Sequence, residues 1–241
     1  MTWRHELKFL ISSDTFLRLY YRLRPLLHHD SHGDGEGGYG IRSLYFDDDA
    51  KRGIFEKLAG SDPRYKYRVR IYNNSDQVIR LEMKVKSGSL SRKHSCALTK
   101  DMTDQLLAGD AEMLFSAFHE SEKEDQQTLL GRFYTDWQTR LLRPALLVDY
   151  HRLPLLWPDG NVRITFDRHL ATGLYRQDLW DPDAALVPVL PPDTVILEVK
   201  YDRFMPDFIR DALELSGAMP LSVSKYVQCA AWCRQQSWED M

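Results

Sequence analysis

Arg64-Tyr65-Lys66-Tyr67-Arg68-Val69-Arg70-Ile71-Tyr72 places a cation at every second position. The residues between them are aromatic or β-branched, types that suit a pleated, half-buried surface. A strand sends alternate side chains to opposite faces. Read as a strand, the stretch carries Arg64, Lys66, Arg68 and Arg70 as a ladder on one face and an apolar row on the other. A helix would scatter the four cations around its circumference. The fold turns on what this row of positive charge faces.

The same alternation recurs along the chain. Trp3–Ile11 sets Arg4, Glu6 and Lys8 against Trp3, His5, Leu7 and Phe9. Val78–Lys86 sets Arg80, Glu82, Lys84 and Lys86 against Ile79, Leu81, Met83 and Val85. Val162–Arg168 places Arg163, Thr165 and Asp167 together, and Thr194–Tyr201 places Ile196, Glu198 and Lys200 together. Tyr39–Asp47, Leu90–Leu98 and Ala145–Leu153 also read as strands, with Val148, Tyr150 and Arg152 on one face of the last. Helical spacing marks Thr15–Leu27, Asp101–Leu107, Ala111–Phe118, Gln126–Arg143, Pro206–Ser216 and Ser224–Gln235, with a helical turn inside Ala50–Gly60. No internal boundary stands out, so 1–241 is expected to be a single domain.

The net charge of −3 argues against a general nucleic-acid binder. The basic residues are concentrated instead: Arg64 to Lys93 holds nine Lys or Arg and two acids, Asp76 and Glu82. Such a zone in a mildly acidic chain points to a focused anion site. No run approaches the eighteen apolar residues of a membrane span, and the N-terminus lacks signal-peptide order, so a cytoplasmic location is expected. Cys96, Cys229 and Cys233 read as buried free thiols. The His28–Gly38 stretch mixes three histidines with three acids, but its glycines make it a solvated loop rather than a metal site.

An ordinary half-exposed sheet also alternates. These polar faces differ in using Arg and Lys with single embedded acids, Glu6, Glu82 and Glu198, and the helices carry enough apolar surface to cover a sheet from outside. Helices outside and charge inside imply an α+β fold built on a closed barrel with a polar lumen. Buried cations without counter-charge are too costly to keep, so the lumen must hold water and a polyanion. Arginine forks grip phosphate oxygens bidentately, and carboxylates among them suit Mn²⁺ or Mg²⁺. Together these parts fit phosphoryl transfer from a triphosphate; no glycine-rich P-loop is present.

The ordered pieces Arg4-His5-Glu6-Leu7-Lys8-Phe9, Ser43-Leu44-Tyr45-Phe46-Asp47, Lys66-Tyr67-Arg68-Val69-Arg70, Leu81-Glu82-Met83-Lys84, Val148-Asp149-Tyr150-His151-Arg152, Arg163-Ile164-Thr165-Phe166-Asp167, Leu197-Glu198-Val199-Lys200 and Ser224-Lys225-Tyr226 span nearly the whole chain. In this order they resemble the VTC domain, the polyphosphate-polymerase branch of the CYTH-like triphosphate tunnel metalloenzymes. The resemblance implies an eight-stranded antiparallel tunnel with helices packed on the outside. Within it, the γ-phosphate of ATP would pass to a growing polyphosphate chain with Mn²⁺ or Mg²⁺.

By motif, Arg68, Arg70, Lys84, Arg152, Arg163, Lys200 and Lys225 would act on the triphosphate. Lys8, Arg4, Lys86, Lys93 and Ser224 would add phosphate contacts, and Glu198, Glu6 and Glu82 would hold the metal. The expected partners are ATP and polyphosphate, and product export would need a separate membrane protein.

Alternatives stay open at this point. Water could replace the polyphosphate acceptor, giving a triphosphatase, or the tunnel could bind polyphosphate without turnover. Glu6 and Glu82 could be counter-charges, and Ser224 a helix N-cap. Asp47 and Asp149 read as turn or strand-end acids, and Tyr45, Tyr67 and Tyr72 as packing residues.

Overall fold

The computed structural model describes residues 3–30, 37–173, 176–213 and 220–239. Ten strands and seven helices follow one another as β1 (Arg4–Ser12), α1 (Ser13–Leu23), β2 (His28–His29), β3 (Tyr39–Asp47), α2 (Arg52–Leu58), β4 (Arg64–Tyr72), β5 (Ser75–Ser87), β6 (Leu90–Leu98), α3 (Lys100–Leu107), α4 (Glu112–Glu120), α5 (Glu124–Thr139), β7 (Arg143–Trp157), β8 (Val162–Thr172), β9 (Val187–Pro188), β10 (Thr194–Tyr201), α6 (Asp207–Leu213) and α7 (Lys225–Glu239). Eight strands close a barrel in the order β7-β3-β4-β5-β6-β1-β10-β8, and β8 pairs back onto β7. Every pairing is antiparallel. The seam between β6 and β1 is short, Arg4 against Ser91 and His5 against Leu90, because the two strands run past each other there. The two-residue strands β2 and β9 add to β7 and β8.

The period-2 pattern decides which face is which. On β4, Tyr67, Val69 and Ile71 are buried in an outer core with Ile79, Leu81 and Met83 of β5. Leu106 of α3, Leu114 of α4 and Leu129, Leu130, Phe133 and Trp137 of α5 cover them. Each such fully buried side chain contributes roughly 1.5–3 kcal/mol of transfer free energy. Phe16, Leu19 and Leu23 of α1 and Ile209 of α6 cover β1, β8 and β10. Residues of α7, Tyr226 and Cys229 among them, cover β3 and β7. The three cysteines are free and buried, as expected. Helices α1 and α3 to α6 therefore sit on the outside, α7 packs against inward-facing residues of β3 and β7, and the charged row is turned inward.

Local chemistry sets the element ends. Ser12 and Thr99 cap α1 and α3 by accepting from Thr15 N–H and Met102 N–H. Asn73 and Asn74 both take positive φ, 49° and 52°, the demand of a tight two-residue hairpin turn. The turn is thus shorter than the four residues expected, and β5 starts at Ser75 instead of Val78. The helix expected over Gln126–Arg143 ends at Thr139. Leu141 takes a left-handed φ of 54°, and Leu142 N–H reaches back to the Asp136 carbonyl, freeing Arg143 to open β7. That strand runs on through Pro154, opposite Thr165, to Trp157.

Candidate active site

Arg64, Lys66, Arg68 and Arg70 line a cavity of about 440 Å³ inside the barrel, a size suited to a small polar ligand. Register brings the first ion pair together: Arg68 of β4 lies opposite Glu82 of β5. Arg68 Nε and Nη2 donate to Glu82 Oε2 at 2.8 and 2.6 Å, and Arg68 Nη1 donates to the Tyr45 hydroxyl at 2.9 Å. Lys93 of β6 donates to the other Glu82 oxygen at 2.7 Å. Arg70 donates to Ser43 Oγ at 3.2 Å and to the Tyr150 hydroxyl at 3.1 Å.

The opposite wall is organised on Glu6 and Glu198. The β1–β10 register sets Glu6 against Lys200 and Lys8 against Glu198, so each acid sits beside a lysine of the neighbouring strand. Glu198 accepts from Lys200 at 2.8 Å and from Lys225 at 2.9 Å, and pairs with Lys8 at 2.9 Å and Arg152 at 3.4 Å. Lys84 holds both Glu6 oxygens at 2.6 Å. Asp167 completes the set: Arg152 grips it with two bonds of 2.6 and 2.7 Å, and Lys225 lies 2.6 Å away. Lys225 reaches the lumen because α7 begins there. Ser224 gives its carbonyl to Gln228 N–H and turns its hydroxyl to Lys66 at 3.3 Å.

These contacts fix the ionisation. Burial alone would raise the Glu198 carboxyl, but Lys200, Lys225, Lys8 and Arg152 outweigh it and hold it well below the usual carboxylate range. Glu82 is held well down against the same burial by Arg68, Arg70 and Lys93. Glu6 is held down by Lys84, Lys8 and Lys200. Lys66 goes the other way: burial, with Lys57, Arg64 and Lys8 nearby, outweighs the pull of Asp47 and brings it down to about 7. The tunnel therefore combines neutralised Arg–carboxylate pairs with a lysine that an anion would recharge.

Every residue expected at the site lines this cavity or touches it. Arg68, Arg70, Lys84, Arg152, Arg163, Lys200, Lys225, Lys8, Lys86, Lys93, Ser224, Glu6 and Glu198 all line it; Glu82 meets it through Arg68 and Lys93. Arg4 lines it too, but its guanidinium is held by Asp202 at 3.0 Å. Asp47 is structural, accepting from Tyr226 O–H and Gly53 N–H. Asp149 likewise anchors Arg42 on the outer face, and Tyr67 packs outside against Phe133. Tyr45 and Tyr72 pack as expected, Tyr45 on Tyr226 and Tyr72 on Tyr39, and they also line the lumen, since their strand positions share parity with inward neighbours. Asp167 and Tyr150 were legible as sharing faces with Arg163 and Arg152, yet only the closed barrel shows Asp167 meeting Lys225. The His28–Gly38 stretch is not wholly a solvated loop. His28 and His29 pair with β7, and Asp30 reaches Arg163 at 2.8 Å; residues 31–36 lie outside those described.

The VTC domain model matches residues 3–233 of the chain. The chain belongs to the VTC domain family. It is thereby a member of the CYTH-like triphosphate-tunnel superfamily. Among solved structures, a Bacillus halodurans protein provisionally assigned as an adenylate cyclase shares 14% identity over 92% of this chain and 95% of its own, with a TM-score of 0.50. A Pyrococcus horikoshii protein shares 12% over 95% and 98%, with a TM-score of 0.44. The Mimivirus capping enzyme triphosphatase shares 10% over 88% and 86%, with a TM-score of 0.37. At such identities the first of these likenesses is one of fold alone. No curated protein matches the sequence.

The carboxylates that face the lumen bear on the expected divalent metal. Among the described residues no three His, Cys, Asp or Glu side chains come together as a metal cluster. Mg²⁺ and similar hard ions are commonly held by one or two carboxylates plus substrate phosphates. Glu198 and Glu6 fit that role, since they share Lys8 and Lys200 and face the cavity. Glu82 does not itself line the cavity and lies behind Arg68 and Lys93, which favours its counter-charge reading over metal binding. Among the described residues no helix is long and apolar enough to cross a membrane.

For a phosphate bound in the cavity, Lys66 is expected to make affinity pH-dependent. With its ammonium at about 7 when the tunnel is empty, a bound phosphate raises it again. Binding then takes up a proton between pH 7 and 9, and affinity falls as pH rises above 7. Calorimetry of tripolyphosphate binding in two buffers of different ionisation heat measures that uptake. Lys66→Met should reduce it, leaving the share of Lys84, which burial also brings down to about 7.

Proposed function

We propose that this VTC domain is a phosphotransferase that binds a linear triphosphate along the tunnel and cleaves its terminal phosphoryl group. The observation that carries this reading is the lumen itself. Arg68, Arg70, Lys84, Arg152, Lys200 and Lys225 converge there from four strands and a helix, far more positive charge than its carboxylates balance. Phosphoryl transfer needs positioning and charge neutralisation more than a protein nucleophile, and this lumen offers just those.

Arg68 and Arg70 come from one strand and are held by Glu82, Tyr45, Ser43 and Tyr150. They would grip non-bridging oxygens with little reorganisation. Lys84, Lys200 and Lys225 would spread charge along the chain, and Arg152, locked on Asp167, would orient one phosphate. A divalent ion held by Glu198 and Glu6 would neutralise phosphate oxygens. In the transfer, the acceptor oxygen forms a bond to the terminal phosphorus as the bridging P–O bond breaks. The leaving diphosphate oxygen takes that electron pair, and the lumen's cations stabilise it.

Water is the acceptor in the reading that the superfamily as a whole supports. A growing polyphosphate chain is the second reading, favoured by the family match over residues 3–233. A single domain over 1–241 would carry either activity. Incubation with ATP or tripolyphosphate and Mn²⁺ or Mg²⁺ separates the two. Free phosphate without long chains marks hydrolysis; ADP with a polyphosphate ladder on a gel marks chain transfer. Tight binding with neither product would overturn the enzyme reading and leave a binding module.

A further inference from the structure

The two mouths of the tunnel differ in charge balance. Strand β4 runs from Arg64 to Tyr72, about 26 Å at the rise of a strand, and so marks both ends. At its Tyr72 end, the Tyr72 ring meets Tyr39 at 5.8 Å. The Tyr39 hydroxyl accepts from Arg163 at 2.8 Å, and Asp30 Oδ2 accepts from the same Arg163 Nη2 at 2.8 Å. The Asp30 side chain is only 7% exposed. It is placed there deliberately by its neighbours: His28 and His29 pair with Leu156 and Leu155, and His28 stacks on Trp157 with ring planes 3° apart.

At the Arg64 end the balance is reversed. Arg64 stands opposite Lys86, and Lys66 and Lys57 complete the wall. Lys57 and Lys66 bond to the neutral hydroxyls of Ser222 and Ser224, and Arg64 to the Ser61 carbonyl. Among the described residues none of these four cations has an ion-pair partner. Burial, and then the like charges of Arg64 and Lys86, depress Lys57. One mouth thus has its cation covered by a carboxylate, and the other leaves four uncovered.

A carboxylate on a guanidinium occupies the place a phosphate would take. We propose that Asp30 is a specificity-determining residue: it covers Arg163, closes that mouth to extended phosphate chains, and leaves the Lys57–Arg64–Lys66–Lys86 mouth as the one phosphate chains use. The proposal rests on the tunnel being a phosphate site, and it adds a direction to that tunnel.

The test is binding of long-chain polyphosphate, with tripolyphosphate as reference, to wild type, Asp30→Asn and Asp30→Ala, and to each with Arg163→Gln. Removing the Asp30 charge should tighten long-chain binding about tenfold and steepen its salt dependence by about one released counterion. With Arg163→Gln in place the gain should vanish, because Asp30 acts through Arg163. An unchanged affinity, or the same gain with and without Arg163, overturns the proposal while the tunnel reading stands. Unfolding of both Asp30 variants overturns it too, since the pair would then be structural. Wild type binding neither chain overturns the tunnel reading itself.

Discussion

Glu198→Gln should lower phosphoryl transfer by about 10²–10³-fold, the scale at which loss of one preorganised electrostatic group acts, while tripolyphosphate binding without metal persists or tightens. The two effects part because Glu198 carries two loads. It is a counter-charge to Lys200, Lys8, Lys225 and Arg152, and in the proposed reaction it would hold the metal beside the phosphate. Deleting its charge leaves the lumen more positive, which favours an anion. Turnover with Mn²⁺ and Mg²⁺, beside calorimetric binding in chelator, reads both. Unchanged turnover would reduce Glu198 to a counter-charge. A thermal loss that tripolyphosphate restores would show that the lumen's cations repel one another until an anion fills it.

Arg152→Ala should produce the largest loss of stability. Arg152 is buried and grips Asp167 with two short bonds while touching Glu198. Removing one partner of a buried ion pair leaves an uncompensated charge and costs about 3–5 kcal/mol. For a chain of this size that is roughly 6–20 °C in Tm. Asp167→Ala added to Arg152→Ala removes the stranded carboxylate and should recover most of the lost Tm. Activity should stay lost in the double variant, because the phosphate-orienting guanidinium is still missing. A Tm unaffected by Arg152→Ala would mean that Lys225 alone balances Asp167. Activity recovered along with Tm in the double variant would show that Arg152 serves the fold and not the substrate.

How far the site could be read in advance depended on local parity. Arg68, Arg70, Lys84, Glu198 and Lys200 each stand at alternate positions of a strand, so one assumption, strand rather than helix, oriented them all. Lys225 came from its place at the start of a helix within a matching motif. Asp167 was in view beside Arg163 and Thr165, but its value lies in meeting Arg152 and Lys225, which depends on register and on where α7 begins. Asp30 sits in a glycine- and histidine-rich stretch whose local pattern signals only a loop. Its meeting with Arg163 spans 133 residues of chain, and nothing local encodes that.

The alternation of cation and apolar residue from Arg64 to Tyr72, repeated in the other strands, was enough to determine a barrel with its charge inside. Period-2 chemistry and the cost of burying unpaired charge leave few other arrangements. The order of motifs determined the family. Which acid answers which cation was decided by the tertiary structure alone. Glu82 serves Arg68 and Lys93, Glu6 and Glu198 share Lys8 and Lys200, and Asp30 covers Arg163 while the far mouth stays uncovered. Pairing depends on strand register, barrel closure and the docking of α7, and these are set by contacts between residues far apart in the chain.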